Sequence, residues 1–253
     1  LKTRIQSGQP ILMVEIAPPA AGDPAPLRAA AKQFAGKAHA IGVSDSRHGV
    51  CVSSLAAAAI LAAEGVEPVM HLVTRDRNRL ALLGACLGAQ ALGIRNVLCT
   101  SGDHQTLGAC RPAKNVYDID SIQLLSAVVR LDRGAFCLGA VAAPFADPPE
   151  MQLMRLSKKV TAGADFLITQ PVFDLERFQA WWDQVSQGEL HQRAAIIAGI
   201  EPLLDGEQAK KLAGSRPPAI IPPTVLERLT SAGDRGAQRA AGLLDLRAGQ
   251  RVL

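Results

Sequence analysis

The sequence lacks the residue patterns that define most metal and disulfide sites. Its five cysteines are an odd number and widely spaced, and no C-x-x-C pair occurs among them. A disulfide framework, a zinc site or an iron–sulfur site needs paired or clustered cysteines. We therefore expect no bound metal and interpret the cysteines as buried thiols; they are Cys51, Cys86, Cys99, Cys110 and Cys137.

Long apolar runs and concentrated charge are also missing. No stretch of about twenty apolar residues could span a bilayer, and no charged-then-apolar N-terminal segment indicates a signal peptide. The net charge is +4, but the basic residues are scattered and aromatic residues make up only 4% of the chain, unlike a nucleic-acid-binding surface. We expect a soluble cytoplasmic protein with no membrane or nucleic-acid partner, and small anionic ligands would suit its mildly basic character.

Several common catalytic motifs are absent. The sequence has no G-x-G-x-x-G and no Walker A loop, so a dinucleotide would have to bind without a Rossmann fingerprint. It also has no G-x-S-x-G elbow and no H-E-x-x-H motif, which argues against a serine hydrolase and a zinc protease.

What the sequence does contain is a regular alternation of apolar strands and helical segments. With 253 residues and a hydrophobic fraction of 48%, it fits one large α/β domain over residues 1–253. Strands are predicted at 11–14, 38–44, 68–73, 96–100, 135–143, 165–170 and 194–200. Helices are predicted at 27–37, 51–64, 77–92, 120–130, 150–162, 175–187 and 207–212, with further helical material to 246.

This alternation predicts a parallel sheet, and the nearly continuous apolar strands predict burial on both faces. Seven β–α units favour a (β/α)₈ TIM barrel over an open doubly wound sheet. An eighth strand should begin where the sequence stops, and an unclosed barrel would expose sheet edges. We therefore expect that the chain is incomplete.

Polar residues fall where predicted strands end, the face at which such barrels carry out chemistry. Glu15 follows the first apolar strand and precedes two prolines that fix the loop behind it, which suits a general acid. The amide of Gln170, beside Thr169, could recognise the edge of a heterocycle. The other candidates are Asp45, His71, Thr74 and Asp103.

Each candidate also has a purely structural interpretation. Glu15 could form a salt bridge at the rim, Asp103 could cap its loop, and His71 could be a hydrogen-bonded core histidine. Gln170 could serve structural hydrogen bonding. Lys158 and Lys159 could be solvated helix charges.

Five blocks in order resemble the methylenetetrahydrofolate reductase family from strand 1 to strand 7. They are residues 15–19 (EIAPP), 71–79 (HLVTRDRNR), 93–98 (GIRNVL) with Gly102-Asp103, 159–165 (KVTAGAD) and 166–174 (FLITQPVFD). The resemblance implies a flavin-bearing barrel that reduces 5,10-methylenetetrahydrofolate to 5-methyltetrahydrofolate in one-carbon metabolism. It implies FAD as cofactor, with FMN an alternative, and a protein that forms oligomers.

The resemblance also assigns roles. Glu15 matches the catalytic general acid, and Asp103 matches the aspartate beside the flavin N1 and C2 carbonyl, where negative charge favours release of a hydride. Gln170, with Thr169, matches the folate-binding position. His71, Thr74 and Lys159 match flavin-site positions, and Asp45 lies near one.

Two departures limit what the resemblance implies for individual residues. Residues 203–206 (LLDG) stand where many members carry an aromatic residue, and Ser101 stands where some carry arginine. The short, catalytic-domain type of chain is consistent with NAD(P)H or with a partner electron-transfer protein. The alternatives are an electron-relay subunit that acts only with its partner and a flavin-free methyltransferase that binds methyltetrahydrofolate.

Overall fold

Strands and helices alternate along the chain as the sequence predicts. The computed structural model describes residues 1–232, except 48, 109, 133 and 216–218. The strands are β1 (Met13–Ile16), β2 (Ala40–Val43), β3 (Pro68–Val73), β4 (Asn96–Thr100), β5 (Cys137–Ala142), β6 (Phe166–Pro171) and β7 (Ala195–Gly199). The helices are α1 (Lys2–Gln6), α2 (Ala25–Phe34), α3 (Ser54–Ala63), α4 (Arg79–Ala91), α5 (Ser121–Leu131), α6 (Pro149–Thr161), α7 (Leu175–Gln187), α8 (Leu190–Arg193), α9 (Gly206–Ala213) and α10 (Pro223–Ser231).

The seven strands form one parallel sheet in the order β1-β2-β3-β4-β5-β6-β7. Each strand therefore pairs with its neighbour in sequence, which is the order of a (β/α)₈ barrel; a doubly wound sheet would reverse direction at a switch point. The predicted fold class is confirmed. The expected eighth strand and the helical material beyond 232 lie outside the described residues.

Some predicted boundaries were wrong. Strand β1 covers Met13–Ile16 rather than 11–14, because these four residues pair with Ala40–Val43 of β2. Glu15 is thus inside the strand rather than just beyond it. The sequence reasoning also missed the short helices α1 and α8 and a 3₁₀ turn at Gln105–Leu107. No helix in the described part of the chain is long and apolar enough to cross a membrane.

The chain divides into two compact units. The first comprises Leu1–Val141, Ser157–Leu167 and Arg193–Ala195, and the second comprises Ala142–Leu156, Ile168–Gln192 and the described residues from Ile196 onward. The second unit has its own apolar cluster between α9 and α10, made of Leu203, Ala209, Ile221 and Leu229.

In the first unit the sheet has two different faces. Ile41 and Val43 of β2 pack with Leu27 of α2 and Leu61 of α3 in a buried cluster. Residues alternate between the faces of a strand, so Gly42 lies on the opposite face, away from these helices.

That second face is filled by large side chains lying over glycines. A Cβ on Gly139 would lie 2.3 Å from the Phe166 ring and 2.9 Å from Leu98. A Cβ on Gly42 would lie 3.0 Å from Nε2 of His71. The missing side chains at these two strand positions make the space that the neighbouring rings occupy.

Candidate functional site

Glu15 lies on the face of the sheet that points away from α2 and α3. It is paired in register with Gly42, and its neighbour Ile16 contacts the helix-facing cluster. The side chain is 45% exposed, and Oε1 lies 3.3 Å from Nη1 of Arg47. The rim salt bridge is therefore present, and the carboxylate is also accessible from solvent.

His71 is buried on the same face, over Gly42. Burial lowers the pKa of His71; the charges of Glu15 and Asp45 oppose this effect, and Arg47 adds to it. The imidazole is consequently neutral at pH 7. These four side chains form one electrostatically connected group at the carboxyl ends of β1, β2 and β3.

Both carboxylate oxygens of Asp45 accept hydrogen bonds from the protein, and the side chain is buried. Its side chain is 2% exposed, Oδ1 accepts from Nη2 of Arg77 at 2.8 Å, and Oδ2 accepts from the backbone N–H of Val73 at 3.1 Å. In this structure Asp45 fixes the ends of β2 and β3 to each other. Its flavin contact stays a prediction that nothing in this geometry favours.

Thr74 and Arg75 follow β3 directly and are both buried. The Thr74 hydroxyl is buried without a hydrogen-bond partner among the described residues. Arg75 was not singled out from the sequence. Its guanidinium donates two hydrogen bonds to Asp76, two to Ser46 and one to the carbonyl of Asp103.

Asp76 balances the charge of Arg75. Burial raises the pKa of Asp76, but hydrogen bonds from Arg75 and Ser46 outweigh burial and hold the pKa below its ordinary value. The hydrogen bond to Asp76 raises the pKa of Arg75 against the effect of burial. We call Arg75, Asp76, Ser46 and Gln105 the arginine cluster. The signal in the sequence was the charged run 75–79 (RDRNR) directly after a buried strand.

Asp103 presents an exposed carboxylate on a fixed backbone. The preceding Gly102 has φ +76°, and a Cβ there would lie 2.7 Å from Cγ1 of Val73. A side chain at 102 would be both strained and blocked, so glycine is required for the chain to turn here. The Gly102 carbonyl accepts a hydrogen bond from the Tyr117 hydroxyl at 3.0 Å.

The long loop between Asp103 and α5 is anchored at both ends. Near its start Gln105 donates to Asp76 at 2.6 Å. Near its end Arg79 forms a forked pair with Asp118 at 2.9 and 3.1 Å. Side-chain contacts therefore tether this loop near its start and near its end.

The two predicted lysines behave differently. Lys159, on α6, is partly buried and its Nζ donates to the Val141 carbonyl at 2.5 Å, while Lys158 is exposed. Lys159 therefore already has a structural contact, and its role toward a diphosphate stays a prediction.

Thr169 and Gln170 belong to the second unit. The Thr169 hydroxyl accepts from the Gly199 N–H at 2.9 Å and donates to the Gln170 carbonyl at 2.8 Å. This side chain serves the contact between β6 and β7, and a substrate contact by it is not favoured. The amide of Gln170 is partly exposed and makes no hydrogen bond with the described part of the chain, so it remains available to a ligand.

The cysteines divide into two groups. Cys86, Cys99 and Cys137 are buried, as predicted, whereas Cys51 and Cys110 are partly exposed. Burial raises the pKa of Cys86 and of Cys137 to about 12 and that of Cys99 well above its ordinary value. The three buried thiols are therefore protonated and unreactive.

Comparison with known proteins gives one family. The family model described as methylenetetrahydrofolate reductase matches residues 1–243. A "probable methylenetetrahydrofolate reductase (NADPH)" from Caenorhabditis elegans is 29% identical over 171 residues, which is 65% of this chain and 25% of the relative. A "5,10-methylenetetrahydrofolate reductase" from Salmonella typhimurium is 32% identical over 149 residues, 59% of this chain and 48% of the relative.

The chain thus spans about a quarter and about half, respectively, of these two relatives. Among solved structures, an uncharacterised protein from Clostridium thermocellum described as binding two copies of 5-methyl-5,6,7,8-tetrahydrofolic acid is similar with a TM-score of 0.68. The identity is 12%, and the match covers 99% of this chain and 87% of that one. At this identity the likeness establishes the fold.

Proposed function

Because the chain belongs to the methylenetetrahydrofolate reductase family, we propose that it uses a bound flavin to reduce 5,10-methylenetetrahydrofolate to 5-methyltetrahydrofolate. The observation that carries the proposal is the position of Glu15. Its carboxylate is 45% exposed, on the sheet face away from the helices and at the carboxyl end of a parallel sheet. This is where barrels of this class place their reacting groups.

The residues present fit a flavin at the neighbouring strand ends. The buried Thr74 hydroxyl lacks a partner among the described residues, and leaving such a group unpaired costs roughly 1–3 kcal/mol. A polar group of the cofactor would supply that partner. Thr74, neutral His71 and the exposed carboxylate of Asp103 are the residues proposed to hold it, with Lys159 toward the diphosphate. FAD is the proposed form.

When bound, the flavin supplies the hydride that the methylene carbon of the folate accepts. The chain's own part is proton donation and positioning. Glu15 gives a proton to the ring nitrogen whose bond to the methylene carbon breaks, which leaves an iminium ready to accept the hydride. A folate contact by Gln170 stays a prediction from the family resemblance.

Arg47 has to leave Glu15 for this proton transfer. The two side chains are 61% and 45% exposed, and ion pairs between such exposed groups contribute only about 0–1 kcal/mol. A bound folate can therefore replace this contact at little cost.

An anaerobic absorption titration tests the proposal. Purified protein, reconstituted with FAD or FMN if needed, should show a flavin band near ~450 nm that NADH or NADPH bleaches. A band that neither nucleotide bleaches would indicate a partner electron-transfer protein as donor. Protein that binds folate but takes up no flavin would contradict the proposal and favour the flavin-free methyltransferase.

A further inference from the structure

Arg75 connects the loops after β2, β3 and β4, and the last of these carries Asp103. Its side chain is 5% exposed and uses all three guanidinium nitrogens. Nη1 donates to the carbonyl of Asp103 at 3.1 Å, and Nη2 donates to the Ser46 hydroxyl at 2.9 Å and the Ser46 carbonyl at 3.3 Å. One side chain therefore joins the loop after β4 to the loop after β2.

Both proposed catalytic carboxylates are next to these contact points. Asp103 is held through its own carbonyl, so its peptide cannot rotate without breaking a charged hydrogen bond. Ser46 precedes Arg47, whose guanidinium lies 3.3 Å from Glu15. Movement of Arg75 would consequently disturb the surroundings of both acids.

The positive charge of Arg75 is balanced within the arginine cluster by the negative charge of Asp76. Nε and Nη2 of Arg75 each lie 2.8 Å from an oxygen of Asp76. Asp76 also accepts from Ser46 and from Gln105 at 2.6 Å. A planar fork is needed for this pattern, and the ammonium group of lysine cannot reproduce it.

We propose that Arg75 is a positioning residue that fixes the Asp103 carboxylate relative to the bound flavin by tying together the loops after β2, β3 and β4. This inference rests on the proposed function. Its consequence is that the midpoint potential of the flavin depends on Arg75, although Arg75 contacts Asp103 only through the backbone.

The test compares Arg75→Lys with Arg79→Lys in the full chain. Arg79 makes the same forked contact, but to Asp118 at the other end of the same loop. We expect Arg75→Lys to weaken FAD binding by about tenfold, as for loss of one charged hydrogen bond, and to shift the flavin midpoint potential. We expect Arg79→Lys to leave both quantities unchanged.

Two outcomes overturn the inference. If Arg75→Lys has the FAD affinity and the flavin midpoint potential of the original chain, Arg75 does not position Asp103 relative to the flavin. If Arg79→Lys has an equal effect, anchoring the loop at either end suffices and the assignment to Arg75 is wrong.

A second variant, Ser46→Ala, tests the inference if Arg75→Lys does not fold. This substitution removes the hydroxyl contacts of Ser46 to Arg75 and Asp76 but keeps the hydrogen bond from Arg75 to the Asp103 carbonyl. It should therefore shift the flavin midpoint potential in the same direction as Arg75→Lys, but by less. No shift in the potential would also overturn the inference. If the original chain itself takes up no flavin, the proposed function fails, and that result is distinct from flavin binding with an unaffected Arg75 variant.

Discussion

Two carboxylates that the sequence presents in similar positions have different surroundings in the folded chain. Both oxygens of Asp45 are occupied by protein donors and the side chain is 2% exposed. Glu15 is 45% exposed with a single exposed partner. Burial and two protein donors keep the Asp45 carboxylate away from a ligand, whereas Glu15 is accessible, so Glu15 is our proposed proton donor.

Replacing Glu15 by Gln removes the transferable proton and keeps the size of the side chain. Loss of a general acid typically slows a reaction by about 10²–10⁴-fold, and we expect this loss in folate reduction with flavin content unchanged. Stopped-flow measurement of flavin reoxidation by the folate gives the rate. The matched control is Glu64→Gln, which removes an ion-pair partner of Arg28 on the helix side, and equal rates in the two variants would refute the role of Glu15.

His71 should make stability depend on pH. Burial lowers its pKa from 6.5 in the folded chain, so below pH 6.5 the unfolded chain binds a proton that the folded chain does not. Its stabilising effect is complete above pH 6.5 and decreases as the pH falls toward the lowered folded-state value. The slope is at most about 1.4 kcal/mol per pH unit for one proton.

Urea unfolding of the original chain and of His71→Gln, from about pH 7.5 to about pH 5.5, measures this contribution. The original chain should lose stability more steeply over this interval. Parallel curves for the two proteins would show that His71 takes up its proton equally in the folded and unfolded states.

At the scale of elements, strands β5 and β6 depend on a glycine beneath an aromatic ring. A Cβ on Gly139 would be 2.3 Å from Phe166, whereas a Cβ on Gly84 in α4 has nothing within 4 Å. Gly139→Ala should destabilise the chain by roughly 1–3 kcal/mol through overpacking, and Gly84→Ala should stabilise it by up to about 1 kcal/mol through helix propensity. Thermal unfolding of the two variants and of the original chain measures whether each substitution raises or lowers stability. A Gly139→Ala variant that is more stable than the original chain would contradict this packing.

The elements themselves were largely predictable. The spans of β3, β4 and α7 follow directly from apolar runs and helix signals, because long periodic segments dominate their own structure. The ends of β1 were not predictable, because pairing with β2 decides them. Helices α1 and α8 have five and four residues, too few for a periodic pattern.

Across the whole molecule, the sequence predicted which candidate residues lie at the same edge of the sheet, but not the contacts among them. Strand ends of a parallel sheet share one edge, so Glu15, His71 and Asp103 could be grouped from the order of the strands. The hydrogen bonds of Arg75 to Ser46 and to the Asp103 carbonyl each join residues about 28 positions apart, and no local pattern specifies them. The same holds for the hydrogen bonds that Asp45 and Thr169 form with protein groups.

The central claim is that this chain transfers a hydride from bound flavin to 5,10-methylenetetrahydrofolate, and a single-turnover reaction tests it without a physiological electron donor. The flavin is photoreduced anaerobically and mixed with the folate while its absorption near ~450 nm is followed. We predict that the band returns and that one 5-methyltetrahydrofolate forms per flavin. Flavin that stays reduced at saturating folate, or that reoxidises without the methyl product, would contradict the claim.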